Sequence, residues 1–443
     1  MKVIGIIAEY NPFHNGHAYQ IKKIKDDLQA DYIVVAMSGD FVQRGAPAMI
    51  DKYARTQMAL SCGADLVIEL PVLWATASAE AFAMAGVTLF DKMGCVDGIC
   101  FGAETDDLAL LSEIAGILAV EPEAYRALLS SYLKEGLAFP VARSKALCEY
   151  LAQSVASVDE SRHFVDEVDL DKISSILDEP NNILAIEYLK ALKRRDSSMT
   201  PHVIKREGAG YHDEDITVPT ASATAIRRTL DAVSVNTCQG TANTLSGDST
   251  HIESLASAMP APALEVLKEY IGASSLIRSN DFSSILGYKI LTSDVCALTD
   301  IGDSNSDIAN RILKKRMNFS SFEQFCELNK SKDVTYTRIS RVLMHLILNI
   351  NKQDYQLGKD VDYVPYLRIL GFCKDSTALL KKLKNAANVP IISKLADAAS
   401  LLDANAMSLL EKDIFAADLY SQILAHKTGT ISQSEYTRNI VRK

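Results

Sequence analysis

The sequence predicts an α/β fold: a parallel sheet wrapped by helices in the first half of the chain, followed by an all-helical C-terminal domain. Three observations predict it. From Met1 to about Gly102, short β-branched runs alternate with stretches whose apolar residues recur three and four apart. From Pro262 onward the pattern is helical, with no convincing strand. Between these halves, Val233 to Ser257 is rich in Ser, Thr, Gly and Asn without a clear period, and reads as a linker or long surface loop.

The runs Val3 to Ile7, Tyr32 to Ala36, Leu66 to Leu70 and Gly98 to Phe101 have the continuous apolar character of strands buried on both faces. His17 to Leu28, Lys52 to Cys62 and Ala77 to Met93 fit the helices between them. Such alternation implies right-handed crossovers, with ligands at the carboxyl ends of the strands. Residues of about 105–170, including Pro122 to Lys134 and Arg143 to Ser154, read as a helical insertion. Pro180 to Leu192 is a helix whose proline and asparagines suit its first turn. A strand from His202 then leads through a Gly-rich turn to Ser222–Leu230. The expected organisation is a sheet domain over 1–232, a linker over 233–261 and a helical domain over 262–443.

At 443 residues, 48% hydrophobic and 23% charged, the chain can bury an ordinary core. It has no apolar run long enough to span a bilayer and no leader-like start, so no membrane association and a cytoplasmic location are expected. The 8 cysteines are scattered and form no C-x-x-C pair, which fits buried reduced thiols and no metal site. A net charge of −10 excludes nucleic-acid coating by bulk charge but leaves room for a local basic face. No obligate protein partner is evident.

The stretch "EYNPFHNGH", Glu9 to His17, concentrates the chemistry. It follows a strand, its proline and asparagines favour a turn, and Gly16 permits a close approach where the next helix begins. A helix N-terminus is an anion site, and His14 and His17 there can donate to phosphate oxygens. Loop histidines satisfied by local backbone, or a metal pair, are the alternatives. No third ligand for a metal is evident.

"HNGH" resembles the H-x-G-H signature of the nucleotidylyltransferase superfamily, and "SATAIR" resembles the second motif of those proteins through Ser222, Thr224, Ile226 and Arg227. The longer strings "GIIAEYNPFHNGH", "MSGDFVQRGAPA", "ADLVIELP", "FGAE", "PNNILAIEYLKAL" and "TYTRISR" resemble the bacterial tRNA(Met) cytidine acetate ligase family over nearly the whole chain. Ala46 departs from the acidic residue that family carries in the "FVQRG-P" string. The resemblance implies a Rossmann-like parallel sheet of the nucleotidylyltransferase type. It also implies an enzyme that activates acetate with ATP as acetyl-adenylate and acetylates the wobble cytidine of elongator tRNA(Met), with Mg²⁺ on the triphosphate.

By that resemblance His14 and His17 are the catalytic residues. ATP is bound by the stretch Ile7, Ala8, Glu9, Tyr10, Asn11, Pro12, Phe13, His14, Asn15, Gly16, His17, Ala18, Tyr19 and Gln20, with Gly102, Asn181, Arg206, Ser222, Thr224 and Arg227. Gly102 is otherwise a turn glycine, Asn181 a helix cap and Arg206 a surface arginine. Gln43 and Arg44 face the same strand ends, as tRNA or acetate contacts or as solvated loop residues. His202 and His212 have no defined constellation and read as structural.

Basic residues gather twice in the helical part. Arg311, Lys314, Lys315 and Arg316 form one cluster, and helical period puts Arg338, Arg341 and His345 on one face. A solvated face is the ordinary reading of such clusters. Two of them joined to an adenylating domain in an acidic chain point to tRNA binding by Lys314, Lys315, Arg316, Arg338 and Arg341. Tyr336 is a candidate for stacking on a base or for the core. Two alternatives remain open: a small-molecule nucleotidyltransferase or pantothenate synthetase-like ligase, and a non-catalytic tRNA-binding protein.

Overall fold

Strands β1 (Val3–Ala8), β2 (Tyr32–Ser38) and β5 (Leu66–Leu70) lie parallel and side by side, with Val3 opposite Tyr32 and Val34 opposite Leu66. Their apolar residues are almost all buried because helices cover both faces, as the continuous runs predict. The computed structural model describes residues 1–137, 139–156, 170–206, 223–235 and 252–443. They form two compact units, Met1–Cys100 with Glu207–Lys443, and Phe101–Arg206.

In the first unit, helix α1 (Asn15–Asp26) follows β1, α2 (Lys52–Ser61) precedes β5, and α3 (Ala79–Met93) precedes β6 (Gly98–Ala103). The two-residue strands β3 (Phe41–Val42) and β4 (Ala46–Pro47) form a small hairpin after β2, and Ala46 pairs with Val42 there. The start of β6 pairs parallel with β1, through Ile4 and Gly98, while β2 flanks β1 on the other side. The strand order therefore reverses at β1, and its carboxyl end is the expected ligand position.

In the second unit the end of β6 runs beside β7 (Thr200–Lys205), with the Arg206 N–H donating to the Ala103 carbonyl at 2.9 Å. Helices Leu108–Val120, Glu123–Lys134, Phe139–Ala156, Leu170–Asp178 and Pro180–Arg194 make up most of the rest. The insertion expected at about 105–170 falls within this unit.

Later in the first unit come α4 (Ala223–Val235), α5 (Ser306–Lys315), α6 (Phe322–Asn329), α7 (Tyr336–Leu348) and α8 (Ala404–Thr428). The region after Pro262 is mostly helical, but it is not free of strands. Strand β8 (Leu367–Phe372) pairs antiparallel with β5, while β9 (Ile391–Ile392) and β10 (Val441–Arg442) pair parallel with β8. The expectation of an all-helical domain separate from the sheet is corrected accordingly. Six residues of β8 carry too short a pattern to stand out among helices, and the partner that buries them lies far earlier in the chain.

A buried ionic network fastens this return. Lys52 Nζ lies 2.7 Å from Glu69 Oε1 and 2.6 Å from Glu435 Oε1. Arg368 Nη2 lies 2.5 Å from Glu435, and Arg368 Nη1 faces Glu69 at 3.3 Å without hydrogen-bond alignment. Removing one partner from such a network typically costs about 3–5 kcal/mol, because the remaining charge stays buried.

Candidate active site

The chain leaves β1 through a tight turn. Tyr10 takes a left-handed backbone (φ 47°), the Asn11–Pro12 bond is cis, and Tyr10, Asn11 and Phe13 are buried. Asn11 Oδ1 accepts from the Met49 N–H at 2.9 Å, which ties the turn to the chain beyond β4. The Tyr10 ring stands edge-on to the His17 imidazole at 4.7 Å, with Phe13 at 5.4 Å from the same ring. Aromatic side chains thus wall the imidazole on two sides.

His14 is the N-cap of α1. Its Nδ1 accepts from the Gly16 N–H at 3.1 Å, while His17 Nδ1 accepts from the His14 N–H at 3.2 Å. These reciprocal bonds satisfy backbone donors as a capping box does. They also settle the tautomer: a neutral imidazole that accepts at Nδ1 carries its proton on Nε2. The two rings lie 3.8 Å apart at 30°, so two Nε2–H donors stand together at a helix N-terminus. A Cβ at Gly16 would come within 2.9 Å of His14 Cε1, so the glycine keeps room for this imidazole.

The rest of the first stretch is structural in its visible contacts. Asn15 bonds the Ser257 and Ala258 carbonyls, Gln20 donates to the Cys100 carbonyl at 3.1 Å, and Tyr19 carries Lys23 over its ring. Ile7, Ala8 and Ala18 are half-buried along β1 and α1.

The second motif meets the first. Arg227 Nη1 donates to the Asn11 carbonyl at 2.9 Å and Nη2 to Thr224 Oγ1 at 3.0 Å. Burial lowers the Arg227 pKa first, Arg44 lowers it further, and Glu9 and Asp231 oppose both. Ser222 lies outside the described residues, as does His212; His202 sits in β7. Arg55 escaped the sequence reading. It is fully buried in α2 and donates to the carbonyls of Glu9 (2.7 Å), Ser38 (3.0 Å), Gly39 and Ile50 (3.0 Å), gathering the ends of β1 and β2. Nothing in "KYARTQM" marks it, because its partners are backbone atoms.

In the second unit, Glu104 and the start of helix Pro180–Arg194 lock together. Glu104 accepts from Asn181 Nδ2 and from the Asn182 N–H at 2.9 Å, and Asn182 Oδ1 accepts from the N–H groups of Glu104 (2.9 Å) and Thr105 (3.2 Å). At Gly102 the nearest atom to an added Cβ would be Arg206 Cγ, at 3.4 Å, an ordinary contact, so packing does not demand glycine there.

The helical basic residues divide. Lys314 and Arg316 are exposed, whereas Lys315 and Arg311 donate to the Leu328 (2.5 Å) and Asn329 (2.8 Å) carbonyls at the end of α6. Arg341 pairs with Asp303 at 2.5 Å, and Arg338 Nε donates to the Asp303 carbonyl at 3.3 Å. Burial would raise the Asp303 carboxyl, but Arg341, His345 and Arg338 outweigh it and hold it below its usual range. His345 does not share the basic face, which corrects that expectation. It is fully buried, with its ring nitrogens 3.1 Å from the Gly302 carbonyl and 3.0 Å from the Thr76 carbonyl. Tyr336 is half-buried; burial and then Cys326 raise its hydroxyl pKa.

A family model described as HIGH Nucleotidyl Transferase matches residues 1–435. The chain is 37% identical to a tRNA(Met) cytidine acetate ligase of Acetivibrio thermocellus over 447 residues and 39% identical to one of Thermoanaerobacter sp. over 443, covering 100% of both chains each time. Among solved structures it resembles Thermotoga maritima TmcAL bound with alpha-thio ATP, at TM-score 0.87 and 27% identity with 100% of both chains covered. The apo form of that protein matches at TM-score 0.88 and 27% identity, covering 100% of this chain and 99% of that one.

Proposed function

This chain belongs to the HIGH nucleotidyl transferase family, and on that premise we propose that it is an ATP-dependent ligase that makes acetyl-adenylate and acetylates the wobble cytidine of elongator tRNA(Met). The observation that carries the reading is the meeting of the two motifs at the end of β1: paired Nε2–H imidazoles at the start of α1, beside an arginine held on the Asn11 carbonyl.

In the first step an acetate oxygen attacks the α-phosphorus. The bond to the oxygen bridging the β-phosphate breaks, and pyrophosphate leaves. His14 and His17 donate to the phosphate oxygens as charge builds, a preorganised donor set in a partly dry site. Thr224 and Arg227, with Ser222, hold the leaving pyrophosphate. In the second step the cytidine N4 attacks the acyl carbon, AMP departs and the amine loses a proton. Neither step needs a nucleophile from the protein, so catalysis is alignment and charge stabilisation.

Gly102, Asn181 and Arg206 take nucleotide contacts in this reading; room for a Cβ at Gly102 suits a glycine kept for a ligand. Mg²⁺ is assigned to the triphosphate, whose oxygens are hard ligands for it. No helix among the described residues is long and apolar enough to cross a membrane. Exchange of pyrophosphate into ATP with a panel of small carboxylates, and acetyl transfer to tRNA, test the proposal. Acetate-dependent exchange and transfer to cytidine are expected. Exchange indifferent to acetate, or no transfer to any tRNA, refutes it.

A further inference from the structure

Tyr336, the candidate for stacking on a base, is half-buried beside Cys326. Helix Ser283–Thr292 presents a more exposed ring: Tyr288 is 67% exposed, and Leu291, three residues on and therefore on the same face, is 60% exposed. This helix runs antiparallel to the segment Arg316–Phe322 that joins α5 to α6. The Phe322 N–H donates to Ser283 Oγ at 3.0 Å, and one turn further on a Cβ at Gly287 would lie 3.1 Å from the Phe319 ring. By that progression the next turn, which carries Leu291, comes level with Arg316 and Met317. Met317 is 80% exposed.

Lys314 and Arg316 are exposed on the same segment, and among the described residues neither forms an ion pair. One aromatic ring and two apolar side chains thus stand in water with two cations at their border. Isolated apolar side chains are ordinary on a surface, but a cluster of large ones marks a contact site. Without charge around it, such a patch would suit a protein partner. Cations at its edge, on a chain of net charge −10, favour a polyanion whose bases have apolar faces.

We propose that Tyr288, with Leu291 and Met317 beside it, is a stacking platform for an unpaired base of the tRNA substrate, and that Lys314 and Arg316 hold the phosphates next to that base. This rests on the reading of the chain as an RNA-acetylating ligase, whose partner surface it specifies. Full-length Tyr288→Ala, Tyr288→Trp and Lys314→Gln with Arg316→Gln are compared with the wild type in binding of an unmodified elongator tRNA(Met) transcript over a range of salt. All should melt like the wild type, since the side chains are exposed. Tyr288→Ala should bind about fivefold to a hundredfold more weakly, as for one lost base–aromatic stack, with an unchanged slope of log K against log salt, because stacking releases no counterions. The paired substitution should make that slope shallower by about 1.4, as for two contacts to a single strand. Trp74, the one native tryptophan, is fully buried, so the transcript should quench the fluorescence of Tyr288→Trp far more than that of the wild type. Wild-type affinity in Tyr288→Ala, or no added quenching in Tyr288→Trp, would overturn the proposal. So would a Tyr288→Ala protein with unchanged RNA affinity and an altered oligomeric state in sedimentation, which would make the patch a protein contact. Absence of RNA acetylation in the wild type would instead refute the parent reading, while the binding measurements still decide the platform.

Discussion

The proposed phosphate contact of His17 and its observed bond to the turn can be divided by substitution. Its Nδ1 accepts the His14 N–H at 3.2 Å, which leaves the ring proton of the neutral imidazole on Nε2. Asparagine places an acceptor near the Nδ1 position and nothing at Nε2; glutamine reaches toward Nε2 and gives up the Nδ1 contact. Loss of the backbone bond is expected to cost about 0.5–1.5 kcal/mol of stability, and loss of one transition-state donor about 2.7–4 kcal/mol of barrier, or 10²–10³ in rate. His17→Asn should therefore melt near the wild type yet lose at least about a hundredfold in the exchange rate. His17→Gln should melt lower and retain more of the rate, and His17→Ala should lose both. The assays are calorimetric melting and acetate-dependent exchange at saturating ATP. Near-wild-type exchange in His17→Asn would refute the assignment of Nε2 as the phosphate donor.

Gly16→Ala should weaken ATP binding measured by titration calorimetry, because the new Cβ meets His14 Cε1 at 2.9 Å and displaces the imidazole; unchanged affinity would show that the ring can shift without consequence. Burial alone would raise the Glu435 carboxyl, but Lys52 and Arg368 outweigh it and bring it from 4.5 to about 2. A depressed carboxyl stabilises fully above its ordinary value and loses that contribution as pH falls from about 4.5 through 2, here on the order of 3 kcal/mol. The stability gap between wild type and Glu435→Gln should accordingly narrow across that window in urea melts, and a gap independent of pH would contradict the network. Lys314→Glu with Arg316→Glu should weaken tRNA binding without lowering the melting temperature, since both side chains are exposed; unaltered affinity would make them a solvated face. Arg341→Ala should lower the melting temperature by leaving the half-buried Asp303 carboxylate without its partner at 2.5 Å, and an unshifted melt would count against that pairing.

What could be read in advance follows from how far each signal reaches along the chain. β1, β2 and β5 were legible because strands buried on both faces are apolar throughout, and "HNGH" because strand, turn and helix start are contiguous. The two motifs could be paired by resemblance, but not the bond that joins them, Arg227 to the Asn11 carbonyl. β8 was illegible because its partner β5 is remote, and Arg55 because carbonyls leave no mark on a sequence. The arginines of α7 give the sharpest case. Helical period correctly places Arg338 and Arg341 near one another, but whether a charge is available to a ligand depends on what the fold sets opposite it, and here that is Asp303. The same helix lends its backbone and Ser340 to Gly45 between β3 and β4, a long-range tie that no local pattern in either segment shows. Arg341→Ala should then act on stability rather than on tRNA binding, and a variant that melts like the wild type while binding tRNA less tightly would return Arg341 to the RNA-facing set.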